Sequence, residues 1–119
     1  EPLEEIWLCH KSIESVTSGQ LEIKRSMLEM TIQLLPKEIE QIELHFHAER
    51  WELLGKQLHK LKGMLANVTG DKLMADFTEL ERLAKTEFYD QFSIQWLSMS
   101  IKLNVLQGEL QQGLEDIKL

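Results

Sequence analysis

The chain has little of what secreted, membrane-spanning and nucleic-acid-binding proteins require. It has one cysteine, Cys9, among 119 residues, so no internal disulfide can form and a reducing compartment fits. No apolar run reaches the roughly 18 residues of a membrane span, and the acidic start EPLEE does not have the pattern of a signal peptide. The net charge of −7 argues against a nucleic-acid-binding surface, and weakly against an anionic membrane surface.

Proline, glycine and strand-like alternation are also scarce, whereas apolar residues recur at helical spacing along the whole chain. This spacing predicts a short first helix and four longer helices, over about 2–16, 20–46, 49–68, 71–85 and 88–117. Pro36 lies inside the second helix and should kink it or remove a hydrogen bond. Gly70 follows the third helix and is predicted to form its left-handed cap.

Short connections between amphipathic helices are typical of an antiparallel bundle. We therefore expect an all-α fold, namely a four-helix bundle over about 20–117 with an additional short N-terminal helix, in one domain spanning 1–119. The glutamate-rich segment KEIEQIE (37–43) is interpreted as a solvated helix face.

The third helix carries a single histidine, His59, in unusual surroundings. On a helical wheel its core seam consists of Leu54, Leu58, Leu61, Leu65 and Val68. His59 then points to solvent, with Gly55, Lys62 and Ala66 on the same outward side and Gly63 further round. Each helical glycine costs about 1 kcal/mol relative to alanine. Bare backbone one turn away on either side would let another protein or a bulky anion approach the imidazole.

These residues suit phosphoryl chemistry. A neutral imidazole is a competent nucleophile near neutral pH. A phosphoryl group would carry roughly −1.5 to −2 charges, and Lys62 could give it a charge-assisted hydrogen bond. An exposed histidine is usually only a solvated polar residue, but the two glycines and the lysine together favour a chemical role.

The segment HKLKGMLANVTGDKL (59–73) resembles the phosphorylation motif of histidine-containing phosphotransfer (HPt) domains, His-x-Leu-Lys-Gly followed by small residues, a turn and a leucine. The matching positions are His59, Leu61, Lys62, Gly63, Ala66, Asn67 and Leu73. A looser resemblance extends over about residues 20–115. Met64 and Leu65 depart from the small residues that many members have, and the turn glycine comes one place late. We therefore expect altered local packing with the chemistry intact.

The resemblance implies that His59 accepts a phosphoryl group through Nε2 and that Glu81 accepts a hydrogen bond from Nδ1–H. The partner surface is expected around His59, at Gly55, Lys56, Gly63, Met64 and Ala66. Because the Mg²⁺ needed for transfer belongs to the partner receiver domain, we expect no metal site and no cofactor in this chain. It lacks a G-x-x-x-x-G-K nucleotide loop, so we expect a phosphohistidine carrier without independent catalysis.

The resemblance also suggests a cellular context. The chain does not begin with Met and has an extra N-terminal helix, which favours the C-terminal HPt module of a bacterial hybrid sensor kinase. Its expected partners are the receiver domains of that kinase and of a response regulator. We expect a cytoplasmic domain, tethered to the inner membrane only through its parent, without nucleic-acid or direct membrane contact and monomeric in isolation.

Two alternatives stay open at this point. The chain could be a protein-binding helical bundle that retains the motif without phosphotransfer. It could also be a metal or haem bundle, which needs inward-facing ligands, and the outward direction of His59 counts against it. Separately, His45 and His47 near Glu49 could suggest a metal site. Their i, i+2 spacing places the two imidazoles on different sides of a helix, which argues against a metal site.

Overall fold

Five helices account for most of the chain in the computed structural model, which describes residues 7–117. They are α1 (His10–Thr17), α2 (Leu21–His47), α3 (Trp51–Leu65), α4 (Asp71–Thr86) and α5 (Tyr89–Glu115). α2 packs against α3 and α5, and α4 also packs against α3 and α5, so the four long helices form a bundle with α1 beside α2. The expected all-α bundle with an additional N-terminal helix is confirmed.

The core is built from one apolar face of each helix. The predicted seam of α3 is fully buried from Leu54 to Leu65, and Val68 joins it from the following turn. Burying one such aliphatic side chain contributes about 1.5–3 kcal/mol, so these positions hold α3 in one rotational setting. Trp51, at the start of α3, contacts Phe46 and Phe92 edge-on, with ring centroids 6.1 and 6.2 Å apart. The rotation of α3 that exposes His59 is therefore determined by burial of the opposite face.

Helix α2 continues through Pro36 with help from another helix. Proline has no N–H, so the carbonyl of Ile32, one turn earlier, lacks its usual donor. Gln107 of α5 replaces that donor, because its Nε2 donates to the Ile32 carbonyl at 3.2 Å. The hydrogen bond that the proline removes is thus compensated across the α2–α5 interface.

The N-terminal helix differs from its predicted bounds of about 2–16. Leu8 forms an isolated antiparallel bridge with Thr69, and the Cys9 N–H donates to the Val68 carbonyl at 2.7 Å. Because these backbone groups bond to the α3–α4 turn, they cannot join a helix, and α1 begins only after Cys9. The part of the prediction before residue 7 lies outside the described residues.

The end of α3 also differs from the prediction. The helix ends at Leu65 rather than near residue 68. The N–H groups of Val68 and Thr69 both donate to the Leu65 carbonyl at 3.0 Å, and the Thr69 hydroxyl donates to it at 2.9 Å. Gly70 has φ −92° and ψ −179°, so it is an extended residue that precedes α4 and not the predicted left-handed cap. The threonine closes the turn, and Gly70 is instead the N-cap residue of α4.

Candidate functional site

His59 lies on the outer face of α3, next to the fully buried Leu58. Its side chain is 76% exposed, and Nδ1 lies 3.3 Å from Oε2 of Glu81 on α4. An ionised carboxylate can only accept, so in the neutral imidazole this contact favours the tautomer with the proton on Nδ1. None of the residues in 7–117 hydrogen-bonds Nε2, whose lone pair in that tautomer is available to an incoming group.

Lys62 shares the same carboxylate. Its Nζ lies 3.3 Å from Oε1 of Glu81, close enough for an ion pair, although Oε1 has no hydrogen bond within the described part of the chain. A partly exposed pair of this kind contributes about 1 kcal/mol or less to stability. The ion pair matters mainly because it positions the Lys62 ammonium group beside the same carboxylate that contacts the His59 imidazole.

A second network holds α3 from the α2 side. Glu38 is only 7% exposed, and it accepts hydrogen bonds from Gln57 Nε2 at 2.7 Å and from Lys60 Nζ at 3.2 Å. Residues 57 and 60 flank His59 in sequence, so this turn of α3 is tied to both neighbouring helices. Interpreting the segment 37–43 as a solvated face was therefore wrong at Glu38. The signal that could have revealed it is spacing, because Glu38 lies three residues after Leu35 and four before Ile42, both of which are buried.

A groove of about 500 Å³ opens between α3 and α4 beside the imidazole. It is lined by Trp51, Glu52, Gly55, Lys56, His59, Glu81, Ala84, Lys85 and Glu87. The small residues Gly55 and Ala84 leave its floor bare, and Lys56 and Lys85 place ammonium groups along it. The groove is large enough to accept an apolar side chain from a partner beside the imidazole.

The two glycines around His59 have no role in the packing of the chain itself. A Cβ added at Gly55 or at Gly63 would meet no atom within 4 Å, and neither residue has a positive φ. Each nevertheless costs about 1 kcal/mol relative to alanine within a helix. A side chain at either position would obstruct only something that approaches from outside.

The other predicted surface residues are distributed unevenly. Lys56 lies in the groove, where its Nζ pairs with Glu52 at 3.5 Å. Ala66 is exposed where α3 ends, outside the groove. Met64 is half-buried and packs against the core, so little of it is accessible to a partner.

The two histidines of the HFH segment face different environments. His45 is half-buried, with a buried Nδ1 that has no partner within the described residues, and His47 is exposed. Across residues 7–117, no cluster of three or more His, Cys, Asp or Glu side chains is arranged to hold a metal ion.

Over the same residues, no helix combines the length and apolarity needed to span a bilayer.

A helical bundle that displays one imidazole against a carboxylate has the features of a phosphoryl carrier. The family model of the Hpt domain matches residues 26–118, and the chain belongs to that family. No curated protein and no solved structure matches the chain. Hpt domains carry a phosphoryl group on histidine in two-component signalling and interact with receiver domains, so this chain is a phosphohistidine carrier domain rather than a catalyst.

Proposed function

We propose that His59 is the phosphorylated residue, and that it receives the phosphoryl group from an aspartate of one receiver domain and passes it to another. The observation that carries this proposal is the ring geometry, with Nδ1 on Glu81 and Nε2 exposed. All four histidines lie within the described residues, and His59 is the one among them that pairs with a carboxylate. It also stands in the HKLKG segment that resembles the family motif.

The transfer needs no proton movement in this site. The Nε2 lone pair attacks phosphorus, the P–O bond to the receiver aspartate breaks, and its electron pair stays on the departing carboxylate. The imidazole keeps its proton on Nδ1 and becomes cationic. Glu81 stabilises that cation, as a buried carboxylate does for a catalytic imidazolium. Transfer to the second receiver reverses the same steps.

Lys62 supports the phosphoryl group electrostatically. An ammonium group has three donors, and Glu81 engages one side of it. The remaining donors can reach a phosphoryl oxygen and form a charge-assisted hydrogen bond. Phosphoryl transfer depends mainly on positioning and charge stabilisation, which is what the His59–Glu81–Lys62 arrangement supplies.

The partner surface that we propose combines the groove beside His59 with the bare backbone at Gly55 and Gly63. The receiver brings the Mg²⁺ in its own acidic pocket, so the domain works without a cofactor of its own. We propose further that it serves as the C-terminal module of a hybrid sensor kinase in the bacterial cytoplasm, tethered to the inner membrane through that parent. The partners are then that kinase's receiver and a response regulator.

A phosphotransfer assay tests the proposal directly. Receiver domains from several hybrid kinases and response regulators are labelled on aspartate and mixed, with Mg²⁺, with the wild-type chain, with His59→Gln, or with the control His47→Gln, which removes another exposed histidine. We expect label on the wild type and on His47→Gln, none on His59→Gln, and loss of label in acid but not in base. Label on His59→Gln would assign the chemistry elsewhere. If the wild type accepts nothing from any receiver, the chain is instead a binding bundle that has kept the motif.

A further inference from the structure

The outer face of α5 carries an aliphatic stripe that the bundle does not cover. Ile94, Leu97, Ile101 and Val105 are 69%, 66%, 62% and 42% exposed, and we call these four residues the outer stripe. They are spaced by three and four residues, so they share one side of the helix. The core residues of α5, such as Met99 and Leu103, are buried on the opposite side. A helix that is apolar on two opposite faces is normally covered on both.

The charge distribution indicates what can cover this face. The chain has a net charge of −7, so two copies repel each other over most of their surface. Between Asp90 and Glu109 the one charged residue is Lys102, whose Nζ lies 2.7 Å from Asp76 of α4. The outer stripe is therefore a surface on which two copies can meet without opposing like charges.

The shape of the stripe is complementary to itself. Gly108 continues it at one end, and a Cβ there would meet no atom within 4 Å, so the packing of the chain does not require this glycine. If two α5 helices cross antiparallel with Ile101 on the two-fold axis, Ile94 of each copy lies opposite Gly108 of the other. Leu97 then lies opposite Val105. A large residue thus faces the position without a side chain, and each pairing occurs twice, as in an isologous contact.

We propose that two copies of this chain form an antiparallel, two-fold symmetric dimer through the outer stripe of α5. The contact would bury on the order of 1,000 Å² over both copies, at the lower end of specific interfaces, so association depends on concentration. α3 packs against α2 and α4 and lies diagonally across the bundle from α5, so both His59 side chains stay accessible. The proposal differs from the monomer expected from the sequence, and it does not depend on phosphotransfer.

Sedimentation equilibrium of the full chain, from about 1 µM to about 1 mM, tests the dimer. We expect the average mass of the wild type to rise towards twice the monomer mass. Ile101→Glu, which places two carboxylates on the axis, should stay monomeric with unchanged helical circular dichroism. Met30→Glu is the matched control, since Met30 is 60% exposed on α2, and it should dimerise like the wild type. A wild type that is monomeric up to the highest concentration, or a dimer that Ile101→Glu leaves intact, would overturn the proposal. Equal loss of the dimer in Met30→Glu would also overturn it.

Disulfide trapping tests the orientation. In a Cys9→Ser background, Ile101→Cys should cross-link the dimer on mild oxidation, because the residue at the axis faces its own copy. Ile94→Cys should not cross-link, because it faces Gly108. Cross-linking of both variants to the same extent would indicate a parallel pair and contradict the antiparallel arrangement.

Discussion

The outer faces of α3 and α5 share a similar arrangement of buried and outward positions, but their exposed side chains differ in chemistry. Both helices bury one face at three- and four-residue spacing. An added Cβ would meet no atom within 4 Å at two outward glycines of α3, Gly55 and Gly63, and at one of α5, Gly108. The α3 face combines an exposed imidazole with lysines and a carboxylate beside a groove. The α5 face is aliphatic and almost uncharged over residues 91–108. Charged side chains are needed to hold a phosphoryl group, whereas association of two copies is favoured by apolar surface that is removed from water.

Replacing the outward glycines of α3 should have the largest effect on phosphotransfer and should distinguish the outer face of α3 from that of α5. Gly55→Leu and Gly63→Leu remove helical glycines, so we expect the unfolding free energy to rise by up to about 1 kcal/mol. A leucine in the path of the receiver should slow phosphotransfer by about tenfold to a hundredfold. Chemical denaturation and single-turnover transfer measure these two effects.

Gly108→Leu is the matched variant on α5. It should bring a similar gain in stability and normal transfer, and it should disrupt the dimer. Normal transfer in Gly63→Leu would show that the bare backbone around His59 has another explanation.

Neutralising Glu81 should have the next largest effect on the rate of phosphotransfer. Glu81→Gln keeps an acceptor for Nδ1–H but removes the charge that stabilises the cationic imidazole, so we expect transfer to slow by about tenfold. Glu79→Gln, two residues earlier on the same helix and paired with Arg82, should transfer at the wild-type rate. A full rate in Glu81→Gln would leave Glu81 with a purely structural role.

Removing the ammonium group near the imidazole should have a comparable or smaller effect. Lys62→Ala is expected to slow transfer by up to about tenfold and to shorten the lifetime of the phosphohistidine, because a charge-assisted hydrogen bond is lost. The melting temperature should change little, since the ion pair is partly exposed. Lys56→Ala is the control within the groove, and equal effects of both variants would indicate a general charge effect instead of a specific contact.

The smallest effect on transfer and dimerisation should come from the inner side of α5, which serves neither outer face. Gln107→Leu leaves the Ile32 carbonyl without a donor, so we expect the unfolding free energy to fall by about 1–2 kcal/mol with transfer and dimerisation unchanged. In a Pro36→Ala background the backbone N–H is restored and the loss should shrink. If Gln107→Leu is equally destabilising in both backgrounds, the two residues are not coupled.

The sequence was informative where a property follows from spacing along one helix. It predicted the five helices, the buried seam of α3 and the outward direction of His59, all of which the structure contains. It was wrong where a distant segment or a neighbouring side chain competes for a backbone group. Leu8 and Cys9 pair with the α3–α4 turn instead of forming helix. At the end of α3, the Thr69 hydroxyl bonds the Leu65 carbonyl, and Gly70 does not form the predicted left-handed cap.

Periodicity is a local property, so the residues themselves specify which side of each helix is apolar and which residues are left outside. The contacts of Glu81 with His59, 22 residues away, and of Gln107 with Ile32, 75 residues away, depend on how the helices rotate and slide against one another. The burial of Glu38 between Gln57 and Lys60 depends on the same settings. The relative rotations and positions of the helices result from the packing of all the core side chains together, so they cannot be read from the apolar repeat of any single helix.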